Sequence, residues 1–155
     1  MIKNFFPNKI LSINNKFISN IVWVMILIFI IGIIYSLFIS PPDYIQGDSA
    51  RIMYVHVPAS FIALGCFAFM GMASICNLIF KIKFLSLVAK SIAPTGSIFT
   101  LISIVTGSLW GKPTWGVWWA WDARLTSMLI LFFFYIIYIL AWKFFDNFEK
   151  ANKIS

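Results

Sequence analysis

The chain has 155 residues, of which 61% are hydrophobic and 11% are charged, and its mean hydropathy is +0.93. A soluble domain of this length could not bury so much apolar surface, so the composition excludes a soluble globular protein and indicates an integral membrane protein. The net charge of +7 would suggest nucleic acid as the partner of a soluble chain, but here the lysines flank apolar runs and there is no nucleic-acid-binding motif, so we expect no nucleic-acid partner.

The chain begins with a polar, basic segment that leads into an apolar run. Residues 1–20 carry three lysines and no acids, and we predict that this segment is cytoplasmic. Residues 21–39 contain no charged side chain, and their number is close to the roughly 20 residues that cross a bilayer as a helix. The run is too long for the core of a signal peptide, so we predict a retained first span.

The second predicted span covers residues 59–80, and Pro58 suits the first turn of its helix. Small side chains in this run should let membrane helices approach closely. These residues are Ala59, Ala63, Gly65, Ala68, Gly71 and Ala73.

Two more apolar runs complete the predicted bundle. The third span covers residues 91–109, with Pro94 near its start as a mild kink or a first-turn residue, and the fourth covers residues 127–142. We therefore predict an all-α integral membrane protein with four transmembrane helices in a bundle over residues 21–142, followed by a cytoplasmic tail over residues 143–155.

The basic residues orient this bundle. The N-terminal segment, the loop between spans two and three and the tail carry three lysines each, whereas the other side has Arg51, Lys112 and Arg124. The positive-inside rule places the nine lysines, and both termini, in the cytoplasm. His56, the single histidine, therefore shares the outer face with the loop between spans three and four. We expect a multi-pass protein of the bacterial inner (plasma) membrane, or of the mitochondrial inner membrane if the chain is organellar.

A tryptophan-rich stretch over residues 110–126 forms the predicted outer-face loop between spans three and four. It holds five of the seven tryptophans, namely Trp110, Trp115, Trp118, Trp119 and Trp121. An interfacial aromatic belt explains one or two indoles at a helix end, such as Trp23 and Trp142, but explains five within twelve residues poorly. Composition leaves three interpretations open: a belt, a platform for a flat apolar anionic ligand, and a surface that docks a partner protein.

The local structure of this stretch is also open. Trp115, Trp118 and Trp119 would share one face if the segment were a short interfacial helix. Gly107 and Gly111 form a G-x-x-x-G pair at the end of the third span, which either serves helix contact or loosens the chain.

His56 lies at the mouth of the second span, on the side predicted for the tryptophans. A lone histidine near a membrane surface is commonly a hydrogen-bonding residue only. A neutral imidazole can also ligate iron through one nitrogen while the other nitrogen donates to a backbone or carboxylate partner.

The outer charges permit a further interpretation beyond solvated loop residues. Charges beside an apolar run are costly and are normally paired. Arginine binds carboxylates in a bidentate manner, so Arg51, Lys112 and Arg124 are candidates to bind the two propionates of a haem. We expect Asp122 to pair with one of these cations or to cap the fourth span.

The sequence predicts no enzyme. It has no Walker loop, no H-E-x-x-H motif and no plausible Ser/His/Asp set. A small-solute carrier is disfavoured because the spans lack ionisable groups.

The stretch W-G-K-P-T-W-G-V-W-W-A-W-D-A-R-L-T resembles the "WWD" motif of haem-handling membrane proteins, and most closely the cytochrome c maturation protein C (CcmC, haem exporter protein C) family. Supporting segments are P-P-D-Y-I-Q-G-D-S-A-R-I-M-Y-V-H-V-P-A, A-P-T-G-S-I-F-T and V-T-G-S-L-W-G-K-P. The resemblance runs from about Trp23 to Asp146.

This resemblance implies a haem-binding protein of system I cytochrome c biogenesis. Such a protein holds haem b non-covalently at the outer face and hands it to the haem chaperone CcmE, assisted by the small membrane protein CcmD and the ABC transporter CcmA/CcmB. By position, His56 matches an axial ligand of the haem iron, and the platform would comprise Trp110, Trp115, Trp118, Trp119, Trp121 and Asp122. The alternative is a structural assembly subunit whose tryptophan-rich surface docks a partner protein without binding haem.

The chain departs from the family pattern in one respect. That pattern has six spans and a second histidine after the motif, whereas this chain stops after the fourth predicted span and has one histidine. We therefore expect either a fragment or truncated product, or a second polypeptide that supplies the rest, because a bis-histidine site cannot form within one copy.

Overall fold

The computed structural model of this protein describes residues 15–144. Four helices in this range are long and apolar enough to cross a membrane, and the range contains no strand beyond one isolated bridge in a turn. The predicted all-α membrane fold with four spanning helices is confirmed. The expectations for residues 1–14 and 145–155 lie outside the described residues.

The chain divides into two compact units, and the first ends at Ser40. Its helix α1 covers Asn15–Ile34 and continues as a π-helical turn over Tyr35–Ile39. The Ser40 amide donates to the carbonyl five residues back at 2.9 Å, and the Ser40 hydroxyl donates to the Ser36 carbonyl at 2.6 Å. These bonds satisfy carbonyls at the end of the helix, immediately before Pro41, which has no amide hydrogen to donate.

The second unit holds the other three spanning helices. A 3₁₀ turn over Asp48–Ile52 leads into α2 (Met53–Phe80), which is followed by α3 (Lys83–Trp115) and α4 (Ala123–Phe144). Each helix extends beyond the apolar run that predicted it, because helical hydrogen bonding continues through polar residues at the membrane boundary.

Helices α2 and α3 contain three interior prolines, Pro58, Pro94 and Pro113, and the first two correct the predicted first-turn positions. Because α2 begins at Met53, Pro58 is inside the helix, and because α3 begins at Lys83, Pro94 is also interior. Neither proline occupies a first turn. Each one removes a helical hydrogen bond to the carbonyl four residues earlier.

Helix α3 is the central element, and it packs against both α2 and α4. Its buried face is a seam of small side chains spaced three or four residues apart, which is the period of one helix face. The seam consists of Ser86, Ala89, Ala93, Gly96, Ser97, Thr100, Ser103, Gly107 and Gly111. Small residues allow close approach between membrane helices, so α3 can contact both neighbours.

The facing surface of α2 uses only part of the predicted set of small residues. Ala59, Ala63 and Ala73 are buried as expected. The other three, Gly65, Ala68 and Gly71, are exposed, so the prediction that they serve helix contact is wrong for these helices.

One tyrosine links all three helices of the second unit. Tyr135 of α4 is fully buried, and its hydroxyl donates to the Ala63 carbonyl of α2 at 2.7 Å. Its ring lies directly against Gly96 of α3, where a Cβ atom would overlap the ring. This contact fixes the relative positions of α2, α3 and α4 below the candidate site.

Candidate functional site

The single histidine and the first tryptophan of the motif meet at one end of the second unit. The ring centroids of His56 and Trp110 are 6.1 Å apart, and those of Trp110 and Trp115 are also 6.1 Å apart. His56 lies near the start of α2, whereas the two tryptophans lie in the last two turns of α3. The prediction that His56 and the tryptophan stretch share one end of the bundle is confirmed.

These side chains line a cavity of about 290 Å³ between α2, α3 and α4. The cavity is open to the surface and its walls are mainly apolar. It is lined by His56, Ser60, Ser103, Ile104, Gly107, Trp110, Trp115, Arg124, Leu125 and Met128. Four of the residues proposed from the sequence therefore come together here, and the rest lie elsewhere.

His56 is partly buried and is held through one ring nitrogen. Its Nδ1 atom lies 3.0 Å from the Ser103 carbonyl oxygen and 3.1 Å from the Thr106 hydroxyl oxygen. The other ring nitrogen, Nε2, has no hydrogen-bond partner among residues 15–144. An imidazole anchored at one nitrogen and free at the other is the arrangement found in histidines that ligate iron.

Two glycines of α3 make room for the functional rings. A Cβ atom at Gly107 would lie 3.1 Å from His56 Cε1, and one at Gly111 would lie 3.0 Å from Trp115 Cε3. Helix α3 continues unbroken through both positions, so the G-x-x-x-G pair does not loosen the chain. It instead forms two close contacts with site side chains, a role that the spacing alone did not reveal.

Trp110 is fixed by a residue that the sequence did not single out. Its indole Nε1 donates to the side-chain oxygen of Gln46 at 2.9 Å. Gln46 belongs to a tight turn in which the Asp43 carboxylate accepts the amides of Ile45 and Gln46 at 2.9 and 2.8 Å. The Gln46 amide, and then the Ile45 amide, hold the pKa of Asp43 below its ordinary value. The turn after the first span is thereby bonded to the start of the tryptophan motif.

Arg124 lies at the edge of the cavity, and its guanidinium is the positively charged group among the lining side chains. The centre of its guanidinium lies 4.9 Å from the centre of the Trp115 ring. Its Nε and Nη2 atoms donate to one oxygen of Asp122 at 3.0 and 2.8 Å. The Arg124 side chain is 72% exposed, so a ligand can reach the remaining guanidinium nitrogen.

Asp122 combines the two roles predicted for it. Its Oδ1 atom accepts the Leu125 amide at 2.9 Å, which is the geometry of a helix N-cap for α4. Its Oδ2 atom accepts from Arg124. The Leu125 amide, followed by Arg124, holds the pKa of Asp122 below its ordinary value. Asp122 therefore positions Arg124 and starts α4, and it does not itself line the cavity.

The tryptophan stretch is not a single loop, which corrects the predicted boundary. Helix α3 continues to Trp115 and α4 begins at Ala123, so only residues 116–122 form the connection. Gly116 ends α3 with a φ of 77°, and its amide donates to the Lys112 carbonyl at 3.0 Å. A left-handed residue of this kind, usually glycine, is a common helix terminator.

The remaining tryptophans lie on this connection and not on the cavity wall. The rings of Trp119 and Trp121 meet edge to face at 5.6 Å. Lys112 lies 5.9 Å from the centre of the Trp118 ring and donates to the Gly116 carbonyl at 2.8 Å. Because α3 ends at Trp115, this residue does not share a helical face with Trp118 and Trp119.

Arg51 is a further predicted site residue that lies away from the cavity wall. It lies in the 3₁₀ turn before α2 and pairs with Asp48 at 3.3 Å. It does not line the cavity, so the structure does not group it with Arg124.

Two donor side chains line the cavity, and among the residues that the structure describes they do not form part of a larger cluster of acidic, cysteine or histidine side chains. Within residues 15–144 no group of three or more His, Cys, Asp or Glu side chains could hold a metal ion. The cavity instead offers the His56 imidazole and the Met128 thioether, both of which are types of axial haem ligand.

Comparison with known proteins identifies a family that this chain matches. The heme exporter protein C family matches residues 2–155. The heme exporter protein C of Escherichia coli (strain K12) is 41% identical over 149 residues, an alignment that covers 96% of this chain and 61% of that protein.

Two further relatives carry the same name. The protein of Haemophilus influenzae is 49% identical over 106 residues, covering 68% of this chain and 43% of that protein, and the protein of Paracoccus denitrificans is 41% identical over 124 residues, covering 80% and 51%. The chain thus spans between 43% and 61% of the length of these three relatives. The chain belongs to the heme exporter protein C family.

Proposed function

We propose that this protein binds haem b non-covalently at the outer face of the membrane and delivers it for c-type cytochrome biogenesis by system I. One observation carries the proposal. His56 lines a single open cavity with mainly apolar walls together with Trp110, Trp115 and Arg124, which lie more than 50 residues further along the chain. A flat apolar ring with an iron centre and two carboxylates matches this combination of groups.

Each of the four side chains has a distinct part in this proposal. His56 offers Nε2 to the iron as an axial ligand. Trp110 and Trp115 provide aromatic surface against the porphyrin ring. Arg124 provides a guanidinium for a propionate, and its pairing with Asp122 fixes where that charge is placed.

The size of the cavity bears on how the haem is held. At about 290 Å³ it is near the lower end of the roughly 300–1,000 Å³ that ligand pockets span. We propose that a porphyrin enters this cavity in part and extends past its opening. Trp118 and Trp121 on the connection before α4 are 57% and 79% exposed and offer aromatic surface there.

A partly enclosed ligand suits a protein that passes its cargo on. A partner can reach haem that extends from an open cavity without unfolding the donor. We propose the haem chaperone CcmE as the acceptor, with CcmD and the transporter CcmA/CcmB as further partners. In this role the protein binds and transfers haem and makes no covalent bond to it.

A second ligand to the iron would come from Met128 or from another polypeptide. The chain has one histidine, so two histidine ligands cannot come from one copy. The Met128 thioether lines the same cavity as His56. A second polypeptide is the other source.

The proposal that the cavity lies at the outer face of the membrane rests on the distribution of lysines. Lys81 and Lys83 lie where α2 meets α3, at the opposite end of α2 from His56. The positive-inside rule assigns that end to the cytoplasm, which puts the cavity on the other side.

The test is the Soret spectrum of protein purified through a histidine-free tag from haem-replete cells. Wild type should carry haem and His56→Ala should lose most of it. Trp23→Phe is the matched control, because Trp23 lies in α1 and not in the motif. We expect Trp23→Phe to retain wild-type haem content and Trp110→Phe to reduce it.

The opposite result would favour a structural assembly subunit. In that case wild type carries no haem even when it is co-expressed with its partners. Replacing Trp118 and Trp119 would then abolish pull-down of a partner and leave haem content unchanged.

A further inference from the structure

We infer that Thr106 is a positioning residue which, together with the Ser103 backbone carbonyl, holds His56 in the neutral tautomer that carries its hydrogen on Nδ1. This tautomer leaves the lone pair of Nε2 available. The use of that lone pair for iron rests on the proposed function, but the tautomer itself does not.

The position of the hydrogen follows from the partners of Nδ1. The Ser103 carbonyl, 3.0 Å away, can only accept a hydrogen bond. The Thr106 hydroxyl, 3.1 Å away, has one hydrogen, and that hydrogen is directed to the Ile102 carbonyl at 2.7 Å. Both neighbours therefore present lone pairs to Nδ1, and a nitrogen facing two acceptors must be the donor.

The Thr106 hydroxyl directs its hydrogen to the Ile102 carbonyl because the Ser103 carbonyl already accepts two other hydrogen bonds. A carbonyl oxygen has two lone pairs. In the helical pattern it accepts the Gly107 amide, and it also accepts from His56. The Thr106 hydroxyl lies 3.2 Å from this oxygen and 2.7 Å from the Ile102 oxygen, so the Ile102 bond is the shorter of the two.

A second set of bonds fixes the distance between the helices that carry this arrangement. The Ser60 hydroxyl donates to the His56 carbonyl at 2.8 Å, so the hydroxyl of Ser103 must be the donor in the 2.6 Å contact between Ser60 and Ser103. This contact joins α2 to α3 one turn along from the imidazole. The Thr106 hydroxyl thus accepts from an imidazole whose helix, α2, is already held in register with α3.

The tautomer has a direct chemical consequence. Histidine in water favours the neutral form with its hydrogen on Nε2, and in that form Nε2 has no lone pair for a metal. Fixing the hydrogen on Nδ1 removes the change of tautomer that iron binding at Nε2 would otherwise require. Partners of this kind commonly orient metal-binding histidines, and their loss typically lowers metal affinity about 10- to 100-fold.

The single histidine makes a haem-free test possible. In protein labelled with ¹⁵N-histidine and purified through a histidine-free tag, every side-chain histidine signal belongs to His56. Long-range ¹H–¹⁵N spectra in detergent distinguish the two neutral tautomers and the imidazolium. We expect the Nδ1–H tautomer to dominate in the wild type, and dominance of the Nε2–H tautomer would overturn the inference.

Three variants separate the role of Thr106 from general packing. Thr106→Val removes the acceptor at nearly constant shape and should shift the tautomer ratio about five-fold toward Nε2–H, the effect of one neutral hydrogen bond. Thr106→Ser should retain the wild-type ratio. Ser103→Ala loses the contact to Ser60 but keeps the backbone carbonyl, so it should shift the ratio less than Thr106→Val does. An unchanged ratio in Thr106→Val would remove Thr106 from the positioning role.

A haem-loaded measurement then separates this inference from the proposed function. We expect Thr106→Val to weaken haem binding by up to about five-fold, the factor by which the tautomer ratio shifts, and Thr106→Ser to leave it unchanged. If the wild type shows the Nδ1–H tautomer but binds no haem, the proposed function fails while the tautomer assignment stands. If haem binds equally well to wild type and Thr106→Val, the positioning role fails and the haem site stands.

Discussion

Replacing Gly107 by alanine tests how closely His56 is fitted against α3. The added Cβ atom would lie 3.1 Å from His56 Cε1 and 3.4 Å from Leu125 Cδ2. Carbon atoms pack best at about 3.5–4.0 Å, so the imidazole must retreat by about 0.5 Å. A retreat away from α3 would stretch the two Nδ1 bonds, now 3.0 and 3.1 Å, to about 3.5 Å, beyond the usual range of about 2.7–3.2 Å.

The net effect on stability combines two opposing terms. Alanine is a better helix former than glycine by about 1 kcal/mol. Overpacking a tight contact costs about 1–3 kcal/mol. Gly107→Ala should therefore range from neutral to about 2 kcal/mol less stable. Its haem affinity should fall about 10- to 100-fold, because the partners that orient His56 are weakened.

Gly71→Ala provides the matched control. Gly71 is also inside a helix, but a Cβ atom there would meet nothing within 4 Å. This variant should gain up to about 1 kcal/mol and bind haem like the wild type. The assays are thermal unfolding in detergent and haem content per protein from the Soret band. Equal haem content in Gly107→Ala and Gly71→Ala would refute the close fit that we describe.

Three further predictions address the fold and the edge of the cavity. Gly96→Ala places a Cβ atom inside the Tyr135 ring and should lower the unfolding free energy by about 1–3 kcal/mol or more, measured by thermal unfolding. Lys81 has a left-handed φ of 56°, so Lys81→Gly should stabilise the protein by about 1 kcal/mol and Lys81→Ala should not. The folded pKa of Asp122 is lowered, so its stabilisation is present above the unfolded pKa and is lost as the pH falls through the folded value. Asp122→Asn can still cap α4 but cannot pair ionically with Arg124, so its melting temperature should fall less on acidification than that of the wild type, and equal pH profiles would contradict this.

The number and connectivity of the spanning helices could be predicted from the sequence, because they depend on the length and charge of individual segments. Run length and the absence of charge identify spanning helices, and connectivity then brings the start of the second span to the same end as the finish of the third. This reasoning predicts that His56 and Trp110 lie at the same end of the bundle, as they do. It also identified Asp122 as a cap, because a carboxylate before an apolar run is a local signal.

The details of the cavity were not accessible, because they depend on distances between helices. Nothing in the spacing of the third span indicates that Gly107 faces an imidazole. The bond from Gln46 to Trp110 joins residues that are 64 apart, and neither residue type predicts the other. The partners of Nδ1 are a backbone carbonyl and a threonine within an apolar run, neither of which is distinctive as a sequence pattern.

The division of the tryptophans illustrates the same limit. Three glycines, at positions 107, 111 and 116, could each have ended the third helix. Only Gly116 adopts a positive φ, and the other two continue the helix because their lack of a side chain is used for packing. The choice among them places Trp110 and Trp115 in the cavity and leaves the later tryptophans on the connection.

The most direct test of the haem site is rescue of His56→Ala by added imidazole, followed in the Soret region. The wild type should show the spectrum of histidine-ligated haem, and His56→Ala should lose it. Imidazole should restore that spectrum in His56→Ala by occupying the space of the lost side chain beside Trp110 and Trp115, which lie at the same cavity. A wild-type spectrum in His56→Ala without imidazole would show that His56 is not the iron ligand and would contradict the account.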